Sequence, residues 1–204
     1  MNIEREHISG LVLAGGRGTR MGGVDKGLQP YLGMPLARHA LLRLQPQVGA
    51  LMISANRNLQ DYAAWGVPVW PDAVADFPGP LGGLLAGLVH CQTPYLVTVP
   101  CDTPHFPLNL VQRLAQDLVS AQADVAVAAT LDEGQQRLQP VFALVRATLQ
   151  GSLLAYVQGG GHKTAAWMRQ QRCVEVLFSD AAAFSNANSV AELKTLEQLQ
   201  PART

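Results

Sequence analysis

The sequence predicts a three-layer α/β/α fold on a mostly parallel sheet, and three observations carry that expectation. Apolar, β-branched runs alternate with longer amphipathic stretches, the pattern left when helices cover both faces of such a sheet. With 48% hydrophobic residues in 204, the chain has enough apolar surface for a substantial core. No internal repeat, charge block or low-complexity linker divides it, so a single domain over 1–204 is expected.

Along the chain, strands are expected at 8–13, 50–55, 67–69, 95–99, 125–130, 141–145 and 174–178, where apolar and β-branched residues cluster. Helices are expected at 36–44, 59–65, 81–91, 108–121, 148–158, 164–171 and 190–199. The last has a clear start: Ser189 followed by Glu192 forms a capping box, each side chain satisfying a backbone donor of the other residue. The polar stretch 131–140 reads as a turn between neighbouring strands, where parallel order gives way to antiparallel.

Charge and cysteine usage exclude several classes. Fifteen basic and fifteen acidic residues give zero net charge, which argues against a broad nucleic-acid face. Cys91, Cys101 and Cys173 are far apart with no CxxC pair, a poor basis for disulfides and a fit to a reducing cytoplasm. The start, MNIEREHISG, puts charges where a signal peptide needs an apolar run, and no segment approaches the ~20 apolar residues that span a bilayer.

Function is concentrated in the stretch LVLAGGRGTRMGGVDK, Leu11 to Lys26. An apolar strand runs into glycines interleaved with Arg17, Arg20 and Lys26. Glycines let backbone N–H groups approach an anion, and the cations supply charge, so a nucleoside triphosphate is the expected guest. A dinucleotide fingerprint from Gly16 and Gly18 would need glycine where Met21 stands, and a Walker loop ending at Gly23 would need lysine in place of Val24. The other reading, a tight turn with solvated arginines, is disfavoured by three cations in so short a loop.

A second strand ends in PCDTPHF, where Pro100 and Pro104 bracket Asp102. Ligands of open α/β sheets collect at the carboxyl ends of strands, which puts Asp102 in one crevice with the glycine loop. A carboxylate facing a triphosphate needs a divalent cation between them, and Mg²⁺ is commonly held by one or two carboxylates plus phosphate oxygens. The competing role for Asp102 is a helix cap. Cys101 reads as a packing residue; the five scattered histidines lack metal-ligand spacing, and His105 and His162, the two near the expected site loops, are expected in ordinary surface roles. Asn56 and Asp72 follow shorter strands and suit contacts to base or ribose; the Pro/Gly segment ahead of the helix at 81–91 suits a wall beside a planar base, or is an ordinary connection. Gly159 to Gly161 with Lys163 could receive a phosphate or form an interhelical turn, and Asn186 and Asn188 could shape the approach to the last helix.

With these residues in place, the chain resembles the molybdenum cofactor guanylyltransferases of the glycosyltransferase-A-like nucleotidyltransferase superfamily. The resemblance rests on LAGGRGTRMGGVDK, ANR at Ala55 to Arg57, Asp72 with PGPLGG at Pro78 to Gly83, PCDTP at Pro100 to Pro104, and NAN at Asn186 to Asn188. It implies a Rossmann-like fold of the nucleotide-diphospho-sugar transferase type. It further implies GTP bound through Leu13, Ala14, Gly15, Gly16, Lys26, Asn56, Asp72 and Asp102, with Asp102 also holding Mg²⁺, or Mn²⁺ in its place. Arg20, Lys26 and Asp102 are the implied catalytic groups, and Asn186 and Asn188 the implied acceptor contacts. The nucleotide part is then roughly 1–105 and the acceptor part roughly 106–204. The implied reaction transfers GMP to the terminal phosphate of molybdopterin carrying molybdenum and releases pyrophosphate. The lability of such a product leads us to expect transient protein partners: cofactor-pathway proteins and recipient molybdoenzymes or their chaperones. Gln139 departs from some relatives, which carry histidine there. Two alternatives are a cytidylyl or other small-molecule nucleotidyltransferase and a non-catalytic GTP or pterin carrier; PCDTP favours the guanylyl branch.

Overall fold

The computed structural model describes residues 2–16, 24–72, 79–132 and 134–186. After β1 (Ile8–Leu13) come a small hairpin of β2 (Pro30–Tyr31) and β3 (Met34–Pro35), then α1 (Leu36–Leu44), β4 (Ala50–Ser54), α2 (Leu59–Ala63), β5 (Val69–Trp70) and α3 (Pro80–His90). They are followed by β6 (Tyr95–Pro100), α4 (Leu110–Ser120), β7 (Val125–Asp132), β8 (Gln135–Arg146), α5 (Gln150–Gln158), α6 (Thr164–Met168) and β9 (Cys173–Phe178). Seven strands form one sheet in the order β5-β4-β1-β6-β8-β7-β9. β8 alone runs antiparallel to its neighbours; the other pairings are parallel, as the sequence predicts.

Strand side chains alternate between two cores. Ile8, Val12, Ile53, Val97, Val99 and Leu144 pack on one face with residues of α1, α2 and α4. Leu11, Met52, Leu96, Val127 and Val145 pack on the other with α3, α5 and α6. The α4 stripe Leu110, Leu114 and Leu118 has the spacing that keeps one helix face on a sheet. α3 comes unusually close: a Cβ on Gly83 would lie 2.7 Å from both Leu13 Cδ2 and Ser54 Oγ, and one on Gly87 would lie 2.5 Å from Leu11 Cδ2. Glycine inside a helix costs about 1 kcal/mol relative to alanine, and here it lets the start of α3 reach the end of β1.

Several boundaries differ from the sequence expectation. β5 is Val69–Trp70 and not 67–69, because Pro68 has no N–H; only its carbonyl joins the ladder, accepting from Ile53 N at 2.9 Å. α2 and α6 are shorter than expected, their last residues continuing as single turns; Gly66, at φ +80°, ends the first. The expected turn at 131–140 is mostly strand. β7 and β8 form a long antiparallel hairpin whose turn includes Gly134 at φ +80°. Its outer residues are exposed and polar, which makes a strand projecting from the sheet resemble a loop in sequence. The change to antiparallel pairing does fall here. Register jumps from Val127↔Ala143 to Ala128↔Gln139, so Pro140, Val141 and Phe142 bulge out of the β7 ladder, a position suited to proline. The helix expected at 190–199 and its capping box, Ser189 and Glu192, lie outside the described residues.

Candidate active site

β1 lies between β4 and β6, and the chain moves outward from it in both directions. This is the switch point at which an α/β sheet opens a ligand crevice beyond its strand ends. The ends stay tied: Ala14 N donates to Ser54 O at 2.8 Å and Cys101 N to Leu13 O at 3.1 Å. Beyond them lies a crevice of about 270 Å³, lined by Leu13, Ala14, Gly15, Gly16, Lys26, Asp72 and Asp102, by Gly79, Pro80 and Gly83 of the α3 start, and by Val141 and Asn186.

Each side chain has a traceable cause for its position. Asn56 bridges two loops: its Nδ2 donates to Gly15 O at 3.2 Å and to Asp72 Oδ2 at 2.9 Å, while its Oδ1 accepts from Asp72 N at 2.8 Å. Glycine at 15 leaves room for this amide, since its Cβ would lie 2.9 Å from Asn56 Nδ2. Arg57 donates to Gly16 O at 3.1 Å. Burial pushes the Asp72 carboxyl above the usual carboxylate range, opposed in part by hydrogen bonds from Asn56 and Ser54. Lys26 Nζ donates to Asp102 Oδ2 at 2.7 Å, joining the end of the glycine loop to the end of β6. Asn186 arrives from the far end of the described chain, its Oδ1 accepting from the buried Thr103 hydroxyl at 2.8 Å.

Asn186 also lines a second, polar cavity of about 400 Å³ with Thr130, Asp132, Arg137, Gln139, Ala181, Ala182, Phe184 and Ser185. Gln139 Nε2 donates to Thr130 Oγ1 at 3.2 Å. The β8 bulge separates the two spaces: Val141 faces the crevice and Gln139 the second cavity. Gly159 to Lys163 line neither.

Sequence reasoning missed some of the support. Asp25 is buried and accepts from Gly27 N, Asn58 Nδ2 and Tyr62 Oη; the one sequence signal was a carboxylate directly before Lys26. Thr103, inside the PCDTP stretch, was likewise not singled out. His105 corrects the expected surface role: it is half-buried, with Nε2 2.6 Å from Tyr31 Oη, and burial with the Arg43 and His39 charges pushes its pKa down. Arg43 donates to the carbonyls of His105 and Phe106, fixing the segment after Asp102 from behind. His162 is exposed, as expected. Cys101 is a packing residue, its thiol held far above the ordinary range chiefly by burial and next by Asp102. Arg20 and Asn188 lie outside the described residues.

Residues 10–176 match the family described as the MobA-like NTP transferase domain. The class is therefore that of the nucleotidyltransferases. The chain is 62% identical over 194 residues to the molybdenum cofactor guanylyltransferase of Bordetella petrii, covering 95% of this chain and 99% of that protein. It is 57% identical over 195 residues to that of Bordetella pertussis, covering 96% and 99%. The chain belongs to the molybdenum cofactor guanylyltransferase family. The solved molybdopterin-guanine dinucleotide biosynthesis protein A from Archaeoglobus fulgidus shares its fold, with a TM-score of 0.74 at 19% identity over 93% of this chain and 97% of that one.

Proposed function

We propose that this chain transfers GMP from GTP to the terminal phosphate of molybdenum-bound molybdopterin, releasing pyrophosphate, with GTP in the crevice and the acceptor in the adjoining polar cavity. The observation that carries this reading is the single crevice gathering Leu13 to Gly16, Lys26, Asp72, Asp102 and Asn186. In it, Ala14, Gly15 and Gly16 approach the phosphates with backbone, Asp72 holds the nucleoside together with Asn56, which bonds to it from beside the crevice, and Lys26 neutralises charge developing on the α-phosphate and departing pyrophosphate. Arg20 joins Lys26 in that role, and Asn186 and Asn188 meet the acceptor.

Asp102 fits a hard divalent cation, being a carboxylate oxygen donor at the crevice wall, 18% exposed. Bound there, Mg²⁺ supplies positive charge to the phosphate oxygens. The acceptor phosphate is already anionic, so attack needs alignment more than proton removal, and no histidine is assigned as a base. In this reading residues up to about 105 bind the nucleotide and those after it the acceptor, with Val141 and Asn186 reaching back into the crevice. The three free cysteines suit a reducing cytoplasm. Among the described residues no helix is long and apolar enough to cross a membrane. The product passes by transient contact to pathway proteins and recipient molybdoenzymes or their chaperones.

The test is to offer GTP, CTP, ATP and UTP with Mg²⁺ and molybdopterin and identify the product. Guanine dinucleotide with pyrophosphate is expected; a preference for CTP overturns the reading.

A further inference from the structure

Lys26 has a scaffold of its own, and it is built around a carboxylate to which the mechanism above gives no part. Asp25 is 9% exposed, an unusual state for an aspartate, and it is stabilised by three donors from two places in the chain. Oδ1 accepts from Tyr62 Oη at 2.7 Å and Gly27 N at 3.1 Å, and Oδ2 accepts from Asn58 Nδ2 at 2.9 Å. The donors are specialised for the purpose. Asn58 stands at the N-cap of α2 with φ +50°, yet its side chain makes no cap bond there and turns to Asp25 instead. Gly27 cannot be larger, because its Cβ would run into Tyr62 Oη. Asp25 itself caps the short turn Lys26–Leu28.

We propose that Asp25, Asn58 and Tyr62 form a positioning unit that aims Lys26 across the crevice at the Asp102 end of β6, so that α2 sets the place of a phosphate-binding cation. Lys26 follows Asp25 directly, so fixing the Asp25 carboxylate on α2 fixes the start of the Lys26 backbone; Lys26 Nζ then spans to Asp102 Oδ2 at 2.7 Å. The inference rests on the role given to Lys26 above.

A double-mutant cycle on the full chain tests it, with kcat and KM for GTP read from pyrophosphate release and melting temperature read separately. Asp25→Asn should lower kcat/KM for GTP on the order of tenfold or more, and Tyr62→Phe by less, as expected for loss of charge-assisted hydrogen bonds. Combined with Lys26→Ala, neither should lower kcat/KM beyond Lys26→Ala alone, because a positioning unit has no effect once its cargo is removed. Losses that multiply overturn the proposal, as does a lowered melting temperature with unchanged kcat/KM. Should Asp25→Asn fail to fold, the Tyr62→Phe cycle decides by the same criterion. Full activity of Lys26→Ala would instead remove the reading of Lys26 on which this rests, an outcome distinct from multiplying losses.

Discussion

The two adjoining spaces at the carboxyl edge of the sheet are built on different principles. The crevice beyond β1, β4 and β6 is made largely of backbone: strand ends in register, a helix brought close by glycine, and side chains bonded to one another across loops. Its ion pair is sheltered, Lys26 being 21% and Asp102 18% exposed. The second cavity lies between a projecting hairpin and the segment from Ala181 to Asn186, and its Arg137–Asp132 pair, at 3.5 Å, is 71% and 61% exposed. Exposed pairs at that distance contribute at most about 1 kcal/mol, so they leave Arg137 available to a ligand. One region is held together by its own hydrogen bonds, and the other carries side chains open to solvent.

Three substitutions probe that contrast, from the largest expected effect to the smallest. Asp102→Asn should reduce Mg²⁺-dependent pyrophosphate release by on the order of 10²–10³-fold with the fold retained; near-normal turnover would remove the metal assignment. Arg137→Ala should raise KM for the molybdopterin acceptor roughly tenfold and leave KM for GTP unchanged, since it touches the second cavity alone. A matched rise in both constants would show the two spaces to be one site. The smallest effect concerns stability without nucleotide. Burial raises the Asp72 carboxyl, so its charged form weakens the fold; the folded state takes up a proton at higher pH than the unfolded chain does. Stability of the native chain relative to Asp72→Asn should therefore rise as pH falls from neutrality through the raised value, and level off below the ordinary value of 3.8. A relative stability that falls with acid would contradict the inferred burial penalty.

The legible part of this molecule was the part governed by local rules. A glycine loop after an apolar strand, and an aspartate after another, are readable because parallel sheets place strand ends together whatever lies between them. The illegible part was pairwise. The Asp25–Tyr62 bond spans 37 residues and Thr103–Asn186 spans 83, and no periodicity or spacing singles out such partners. The hairpin at β7 and β8 failed for another reason: where a strand leaves the sheet, solvent on both sides removes the apolar alternation that would betray it. His105 was misjudged because its burial depends on Tyr31 and Arg43, brought up from the opposite half of the chain.

The bulge at Pro140 to Phe142 acts as insulation between these regions. On its inner side β8 keeps Ala143 against Thr98, and Thr98 Oγ1 donates to Val141 O at 2.9 Å; on its outer side β8 pairs with β7, and β6 takes no further part. Slack of three residues means that lengthening the arm near Gly134, or exchanging its side chains, need not shift the strands that frame the crevice. Selection can therefore reshape the second cavity while the crevice stays unaltered, and related chains should diverge fastest along this arm.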